Sequence, residues 1–166
     1  MKRAIIAVII FVFVFGSAFA FQNEPDGFRG IKWGSNFKDL PGMIMSKADG
    51  NFKLYSKKGD KLSIGNATLR DISYGFFKDR FFQVRINFNN GDNFVKLIKT
   101  LEEQYGTGDR PNRFLMEYMW LSDTISIVLH YDKIKDSGFI IYFYEPINAE
   151  KKEDDKEVSR NAAKDL

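Results

Sequence analysis

Apolar residues in this chain follow two different spacings, and each spacing predicts a different kind of element. Between residues 51 and 89 they alternate with polar residues, which is the period of a strand. A hairpin is the clearest example, with alternating strands at 71–76 and 81–88 on either side of a polar turn at 78–80. One face of this hairpin is apolar, so we expect it to cover a core.

One segment has the spacing of an amphipathic helix. Its apolar side chains recur every three or four residues, and lysines and glutamates occupy the opposite face. The apolar set is Phe94, Leu97, Ile98, Leu101 and Tyr105. Asp92 is a suitable N-cap and Gly106 is suited to end the helix, so the pattern predicts a helix over 93–105.

The remaining pattern completes a predicted α+β fold. A short N-terminal helix is predicted over 37–40, with a further helical turn over 43–47. After the long helix, three alternating stretches predict strands over 114–121, 125–131 and 138–145, joined by short polar turns. We therefore expect one or two antiparallel sheets, packed by one amphipathic helix and by the short N-terminal helix.

The N-terminal twenty residues have the pattern of a secretory signal peptide. Lys2 and Arg3 precede an apolar run that ends in small residues, which predicts a signal over 1–20 cleaved between Ala20 and Phe21. The alternative is an uncleaved membrane anchor, because the apolar stretch approaches the lower length of a spanning helix, about 17 residues. Cleavage would leave no membrane span and would place the product in the periplasm or outside the cell.

Beyond the signal peptide we expect one domain over 21–147 and a charged tail over 148–166. The tail has too few apolar side chains to bury itself, so it is expected to be disordered or to form an exposed helix. The chain contains no cysteine. The domain must therefore be held by its apolar core, and a soluble exported product is favoured over a lipoprotein, whose anchor requires a cysteine.

The charge balance argues against nucleic-acid binding. The whole chain has 25 basic and 22 acidic residues, a net charge of +3. Removal of Lys2 and Arg3 with the signal peptide would lower the net charge to about +1. A nearly neutral domain lacks the basic face that displaces counterions from a nucleic acid.

No group of residues in the sequence predicts catalysis or metal binding. His130 is the single histidine and there is no thiol, which disfavours a nucleophile–base pair and a zinc site. Paired carboxylates could still act as in glycosidases. The candidates are Asp71, Asp79, Asp92, Glu117 and Asp123. Three of them occupy turn or cap positions where Asp commonly bonds to the backbone. We therefore assign no catalytic, cofactor-binding or metal-binding residue.

Aromatic side chains are the most distinctive part of the composition, with 17 Phe, 7 Tyr and 2 Trp. Neighbours such as Phe81 and Phe82 would lie on opposite faces of a strand. This arrangement indicates either burial between two layers or an apolar binding surface. Trp33 and Trp120 are expected to be buried anchors whose indole N–H groups donate to oxygen acceptors.

Four features of the chain resemble a group of small exported bacterial proteins of unassigned function. They are the segment FRGIKWG at 28–34, the aromatic hairpin over 74–88, the helix end at Tyr105 and Gly106, and the pair Tyr118 and Trp120. The resemblance spans most of residues 27–147. It implies export and a shared fold, and it carries over no catalytic residue.

The function predicted from these observations is that of an exported, non-enzymatic binding or interaction domain of the bacterial envelope. Its partner would be an envelope protein, a peptide or an apolar ligand, and the sequence leaves the oligomeric state open. Two alternatives remain. One is a carboxylate-dependent hydrolase acting on envelope glycan, and the other is a structural or envelope-stress component.

Overall fold

The computed structural model describes residues 21–165, so the predicted signal peptide over 1–20 lies outside the described residues. Eleven strands and two α-helices are present in the described range. The helices are α1 (Gly91–Tyr105) and α2 (Glu145–Ala162). The strands are β1 (Gly27–Phe28), β2 (Ile31–Lys32), β3 (Met43–Asp49), β4 (Phe52–Lys57), β5 (Ser63–Ile64), β6 (Ala67–Thr68), β7 (Asp71–Phe77), β8 (Arg80–Asn89), β9 (Met116–Leu121), β10 (Ile125–Asp132) and β11 (Ser137–Tyr144).

Seven of these strands form one antiparallel sheet in the order β3-β4-β7-β8-β11-β10-β9. Strands β1 and β2 form a separate two-stranded ribbon, as do β5 and β6. Strand positions make up 43% of the structure. The prediction of an α+β fold packed by helices is therefore wrong, and the protein is mainly β. One physical reason is that residues 43–49, expected to be partly helical, form strand β3 by pairing with β4 across the short turn at Gly50 and Asn51.

The N-terminal helices were the least accurate part of the prediction. The helix expected over 37–40 is a single 3-10 turn at Phe37–Asp39, and the Asn36 side chain accepts a hydrogen bond from the backbone of Lys38 at 3.0 Å. The helical turn expected over 43–47 is wrong, because this segment is strand β3. Its pairing with β4 supplies hydrogen bonds that local sequence does not reveal.

Helix α2 occupies most of the segment that the sequence assigned to a charged tail. The expected boundary between residues 147 and 148 falls in its first turn, where Ile147 and Asn148 are buried. Most later positions are exposed, so the segment is an exposed helix and not a disordered tail. The anchored first turn explains the difference, because it gives the charged helix a fixed starting point.

Two charged pairs attach the middle of α2 to the β7–β8 hairpin. The Arg80 guanidinium donates to the Glu150 carboxylate at 2.5 Å, and the Lys78 ammonium lies 3.0 Å from Asp154. The Arg80 bond lowers the pKa of the Glu150 carboxyl, and the Lys78 bond lowers that of Asp154. Both contacts are solvent-accessible, so they hold the helix in place weakly compared with its buried first turn.

Helix α1 confirms the helix predicted over 93–105, although it starts two residues earlier. Asn90 caps it in place of the expected Asp92, and the Asn90 side chain accepts a hydrogen bond from the backbone of Asn93 at 3.0 Å. Gly106 ends the helix with a φ of +83°, which favours glycine. The apolar stripe of α1, with Leu97 fully buried, packs into the main core.

The sheet has apolar clusters on both faces. Phe81 belongs to the main core beneath α1, whereas Phe82 packs with Phe77 and Ile147 under the first turn of α2. Simple alternation along β8 would put each of these two side chains on the reverse face. A register shift next to Gly75 adds one residue to β8 opposite β7, and this extra residue exchanges their faces. The aromatic pair is therefore buried between two layers and does not form an exposed apolar surface.

The burial predicted for both tryptophans is found for Trp120 and only in part for Trp33. Trp120 is buried, and its indole N–H donates to the carbonyl of Gly106 at 2.8 Å. Trp33 is half-buried, stacks on Phe81 with ring centroids 4.8 Å apart, and donates to the carbonyl of Pro25 at 2.9 Å. The indole of Trp33 therefore fixes the N-terminal segment against the sheet.

Candidate ligand-binding cleft

A cleft of about 610 Å³ lies between the β1–β2 ribbon, the loop that leads into β5, and the second half of α1. This volume falls within the range of small-molecule sites. Its polar lining residues are Arg29, Asp60, Lys61, Ser63, Thr100 and Gln104. Its apolar lining residues are Phe28, Ile64, Leu101, Tyr105 and Tyr142.

The β1–β2 turn places Arg29 at the mouth of this cleft. Arg29 and Gly30 are the two residues between the paired positions Phe28 and Ile31, and their φ angles are +50° and +78°. Positive φ at both central positions is the backbone of a type I′ hairpin turn. Glycine adopts this conformation freely, whereas arginine does so at a cost of roughly 1 kcal/mol. The contacts of the Arg29 side chain offset that cost.

The Arg29 guanidinium ties the turn to the loop before β5. It donates to the Asp60 carboxylate, to the carbonyl of Lys61 at 2.7 Å and to the carbonyl of Ser63 at 2.9 Å. The other Asp60 oxygen accepts a hydrogen bond from the Tyr74 hydroxyl at 2.6 Å. Both partners of the ion pair are mostly buried, with side-chain exposures of 24% for Arg29 and 12% for Asp60. The polar wall of the cleft is therefore rigid.

A second tether holds the other end of this loop to α1. The Asn93 side chain accepts a hydrogen bond from the backbone of Thr68 in β6 at 3.0 Å and donates to the carbonyl of Asn89 at 2.9 Å. Asn93 is buried, so these bonds replace water contacts that its amide would otherwise need. The β5–β6 ribbon is thus fixed on both sides, by Arg29 and by Asn93.

Aromatic rings form the floor of the cleft. The Phe28 ring packs against Tyr142 and Tyr74, with centroids 5.6 Å and 6.0 Å away. Tyr105 lies at the end of α1, where its ring meets Phe21 edge-on at 5.5 Å. These rings offer an apolar surface next to the charged wall. The arrangement suits a ligand that is apolar along its length and polar at one end.

Two tyrosines that line the cleft, Tyr105 and Tyr142, and Tyr74 beside Asp60 have raised pKa values. Burial raises the pKa of the Tyr142 phenol well above its ordinary value, and the neighbouring Tyr105 raises it further. Burial also raises the pKa of Tyr105, and burial together with Asp60 raises that of Tyr74. All three phenols therefore stay protonated at neutral pH, where they can donate and accept hydrogen bonds.

The carboxylates proposed from the sequence as a catalytic pair are not brought together across the sheet. Asp71 and Glu117 share one row of the sheet, separated by β8, β11 and β10, which places them about 19 Å apart at about 4.8 Å per strand. Asp79 pairs with Lys53 at 2.8 Å in the β7–β8 turn. The glycosidase geometry needs carboxyl groups within about 9.5 Å.

Of the other two carboxylates, Asp123 lies in the turn between β9 and β10 as expected, whereas Asp92 lies in the first turn of α1 and not at its N-cap. His130 lies 3.2 Å from Glu117 and stacks on Phe139, with centroids 5.3 Å apart, on the sheet face opposite α1. Among residues 21–165, no group of three or more His, Cys, Asp or Glu residues could hold a metal ion.

A larger depression of about 790 Å³ runs along α2, and it is a weaker candidate site. Its lining is mostly charged and includes Lys78, Glu150, Asp154 and Arg160. Three of these groups already take part in the charged pairs that attach α2. Within the described range it has no aromatic lining residue, unlike the cleft beside α1.

Sequence reasoning did not identify the cleft, because its residues come from four distant segments. The closest signal was the two-residue Arg-Gly connection between Phe28 and Ile31, since a residue followed by glycine is typical of a tight hairpin turn. Nothing in the local pattern indicated that Asp60 would lie against Arg29. Tyr105 was predicted only as part of the buried helical stripe.

Comparison with known proteins found no match to a family model, to a curated protein or to a solved structure. In the part of the chain that the structure describes, neither helix is both long enough and apolar enough to cross a membrane. The resemblance stated from the sequence therefore stays a prediction. The functional argument depends on the geometry of the cleft.

Proposed function

We propose that this protein is a non-enzymatic binding domain and that the cleft is its ligand site. The observation that carries the proposal is a rigid concave site with an aromatic floor and one charged wall. Phe28 of the β1–β2 ribbon and Tyr105 of α1 are half-buried and line the cleft, where their rings are accessible to a ligand. We also propose, from the sequence alone, that the domain is exported to the bacterial envelope.

The chemistry of the walls favours an elongated ligand with an apolar body and an anionic head. Two cations, Arg29 and Lys61, and one carboxylate, Asp60, line the charged side. Asp60 already accepts hydrogen bonds from Arg29 and Tyr74, so Lys61 supplies the uncompensated charge. An anionic head at this end would place the apolar body along Phe28 and Tyr142.

A medium-chain carboxylate, dodecanoate, is a suitable probe for this proposal. Calorimetric titration should detect binding to the protein. Lys61→Gln should weaken it by about tenfold, because a charge-assisted hydrogen bond contributes roughly 1.5 kcal/mol. Lys61 is exposed, so the substitution should leave the free energy of unfolding nearly unchanged.

A matched pair of helix variants tests whether binding occurs in the cleft. Gln104 is exposed and lines the cleft, so Gln104→Trp should fill it and abolish dodecanoate binding. Glu103 is the preceding exposed residue of α1 and does not line the cleft, so Glu103→Trp should bind as the parent does. Equal binding by both variants would contradict the proposed site.

A further inference from the structure

Two loops at the same end of the large sheet present exposed apolar side chains. Phe114 precedes β9 and is 83% exposed, and Ile134 lies in the β10–β11 turn and is 98% exposed. Among the described residues these are the two most exposed large apolar side chains. The start of β9 pairs with the end of β10, with Met116 opposite Tyr131, so both loops leave the sheet at one end.

Each loop holds its apolar residue outward by bonds within the loop. The Asn112 side chain accepts a hydrogen bond from the backbone of Phe114 at 2.9 Å. The Asp132 side chain accepts one from the backbone of Ile134, also at 2.9 Å. Arg110 braces the first loop by donating to the carbonyl of Leu115 at 3.0 Å and to that of Arg113 at 2.9 Å. The exposed side chains are therefore presented by ordered turns.

Cations lie beside both apolar side chains, while the nearby carboxylates turn back toward the loops and the sheet. The Arg113 guanidinium lies 5.1 Å from the centre of the Phe114 ring, and Lys133 and Lys135 flank Ile134 in sequence. Asp132 accepts hydrogen bonds from its own turn and lies 3.5 Å from the Lys135 ammonium, and Asp136 accepts a hydrogen bond from the hydroxyl of Tyr131 at 2.5 Å. The outermost part of this end is therefore apolar, and among the described residues no carboxylate pairs with its cations Arg113 and Lys133.

We propose that these two tips, residues 113–115 and 133–135, dock on the surface of an anionic phospholipid bilayer. Phe114, Leu115 and Ile134 would enter the boundary between headgroups and acyl chains, where apolar side chains leave water. The three cations, Arg113 and the lysines on either side of Ile134, would lie at the level of the lipid phosphates. The proposal is independent of the cleft, which lies beside the second half of α1.

The absence of native cysteine makes a position-specific test available. Single substitutions Phe114→Cys, Ile134→Cys and Val158→Cys would each carry an environment-sensitive fluorophore such as NBD. Val158 is the matched control, because it is also apolar and 64% exposed but lies on α2. The probes would be vesicles of phosphatidylcholine alone and vesicles that also contain phosphatidylglycerol. A position-specific signal separates docking through the tips from binding through residues 1–20.

The fluorophore at each tip should shift to the blue and become shielded from an aqueous quencher only with phosphatidylglycerol vesicles. The control on α2 should not respond. Equal responses at all three positions, or no response at the tips, would overturn the proposal. A tip response that is the same with neutral vesicles would overturn its electrostatic part, and with it the assignment of an anionic surface.

The affinity of unlabelled variants for the same vesicles measures how much each side chain contributes to binding. Ile134→Ser should weaken binding to phosphatidylglycerol vesicles by about tenfold or more, since burial of a large aliphatic side chain contributes at least that factor. Lys133→Gln should weaken it by about fivefold, the factor for one cation near an anionic surface. Val158→Ser should bind as the parent does. Unchanged binding in both tip variants would refute the assignment.

Discussion

Arg29 should be the residue on which the shape of the cleft depends most. Arg29→Ala removes the charge-assisted bond to Asp60 and two bonds to the carbonyls of Lys61 and Ser63. It also leaves Asp60, which is 12% exposed, with Tyr74 as its remaining partner. The loop before β5 would then lose its main contact with the β1–β2 turn.

The expected loss of stability is about 2 to 4 kcal/mol. A hydrogen bond to a charged group contributes roughly 1.5 to 3 kcal/mol, and removing one partner of a mostly buried ion pair leaves the other partly unpaired. Alanine does not relieve the backbone strain at this position, because it also disfavours a φ of +50°. Arg29→Gly should therefore be more stable than Arg29→Ala by about 1 kcal/mol, the usual cost of left-handed backbone for a residue other than glycine.

Urea unfolding of the two single variants and the double variant, Arg29→Ala with Asp60→Ala, measures the interaction directly. The double-mutant cycle should give a coupling energy of about 1 to 3 kcal/mol. Arg29→Lys is the matched control, because lysine keeps the positive charge but lacks the planar guanidinium group that donates to three acceptors. A coupling energy below about 0.5 kcal/mol would refute the view that this ion pair shapes the cleft.

Three further predictions concern the core, the buried phenols and the attachment of α2. Leu97→Ala should lower the free energy of unfolding by about 2 to 5 kcal/mol, whereas Val95→Ala at an exposed position of the same helix should change it by less than about 0.5 kcal/mol; urea denaturation compares the two. Because burial raises the pKa of Tyr142, the folded state keeps a proton that the unfolded chain loses, so stability should fall as pH rises above about 10; a constant urea midpoint through that range would contradict this. Arg80 lowers the pKa of Glu150, so this pair stabilises the folded state at pH values above the ordinary carboxyl pKa of 4.5. Its contribution is lost as the pH falls through the lowered pKa. Hydrogen exchange should therefore show α2 losing protection in acid before the sheet does.

The sequence predicted the elements whose signals are local. The helix over 93–105 and the β7–β8 hairpin were placed correctly, because each has its own period and its own end signals. The turn of that hairpin uses Lys78 and Asp79 at φ angles of +49° and +61°, which the polar composition of the turn could not specify. The sequence also did not indicate the face on which Phe82 packs, because one added residue in a strand moves a side chain to the other face of the sheet.

Other elements were not predicted, because the contacts that stabilise them are not visible in the local pattern of apolar residues. Strand β3 has no clear alternation and becomes a strand by pairing with β4, the next strand along the chain. Helix α2 has too few apolar residues to be predicted as packed, and it is fixed by Ile147, which packs on Phe77 and Phe82. The cleft was missed for a related reason, because the contact between Arg29 and Asp60 joins segments 31 residues apart. No local pattern contains that information.

Two-dimensional NMR of the isotope-labelled protein, titrated with dodecanoate, shows which residues the ligand contacts. The largest shifts of backbone amide signals should fall on the residues around the cleft, namely Arg29, Lys61, Ile64, Leu101 and Tyr105. The β9–β10 turn around Asp123 should not respond. Shifts spread evenly over the sheet, or confined to the groove along α2, would contradict the assignment of the cleft as the ligand site.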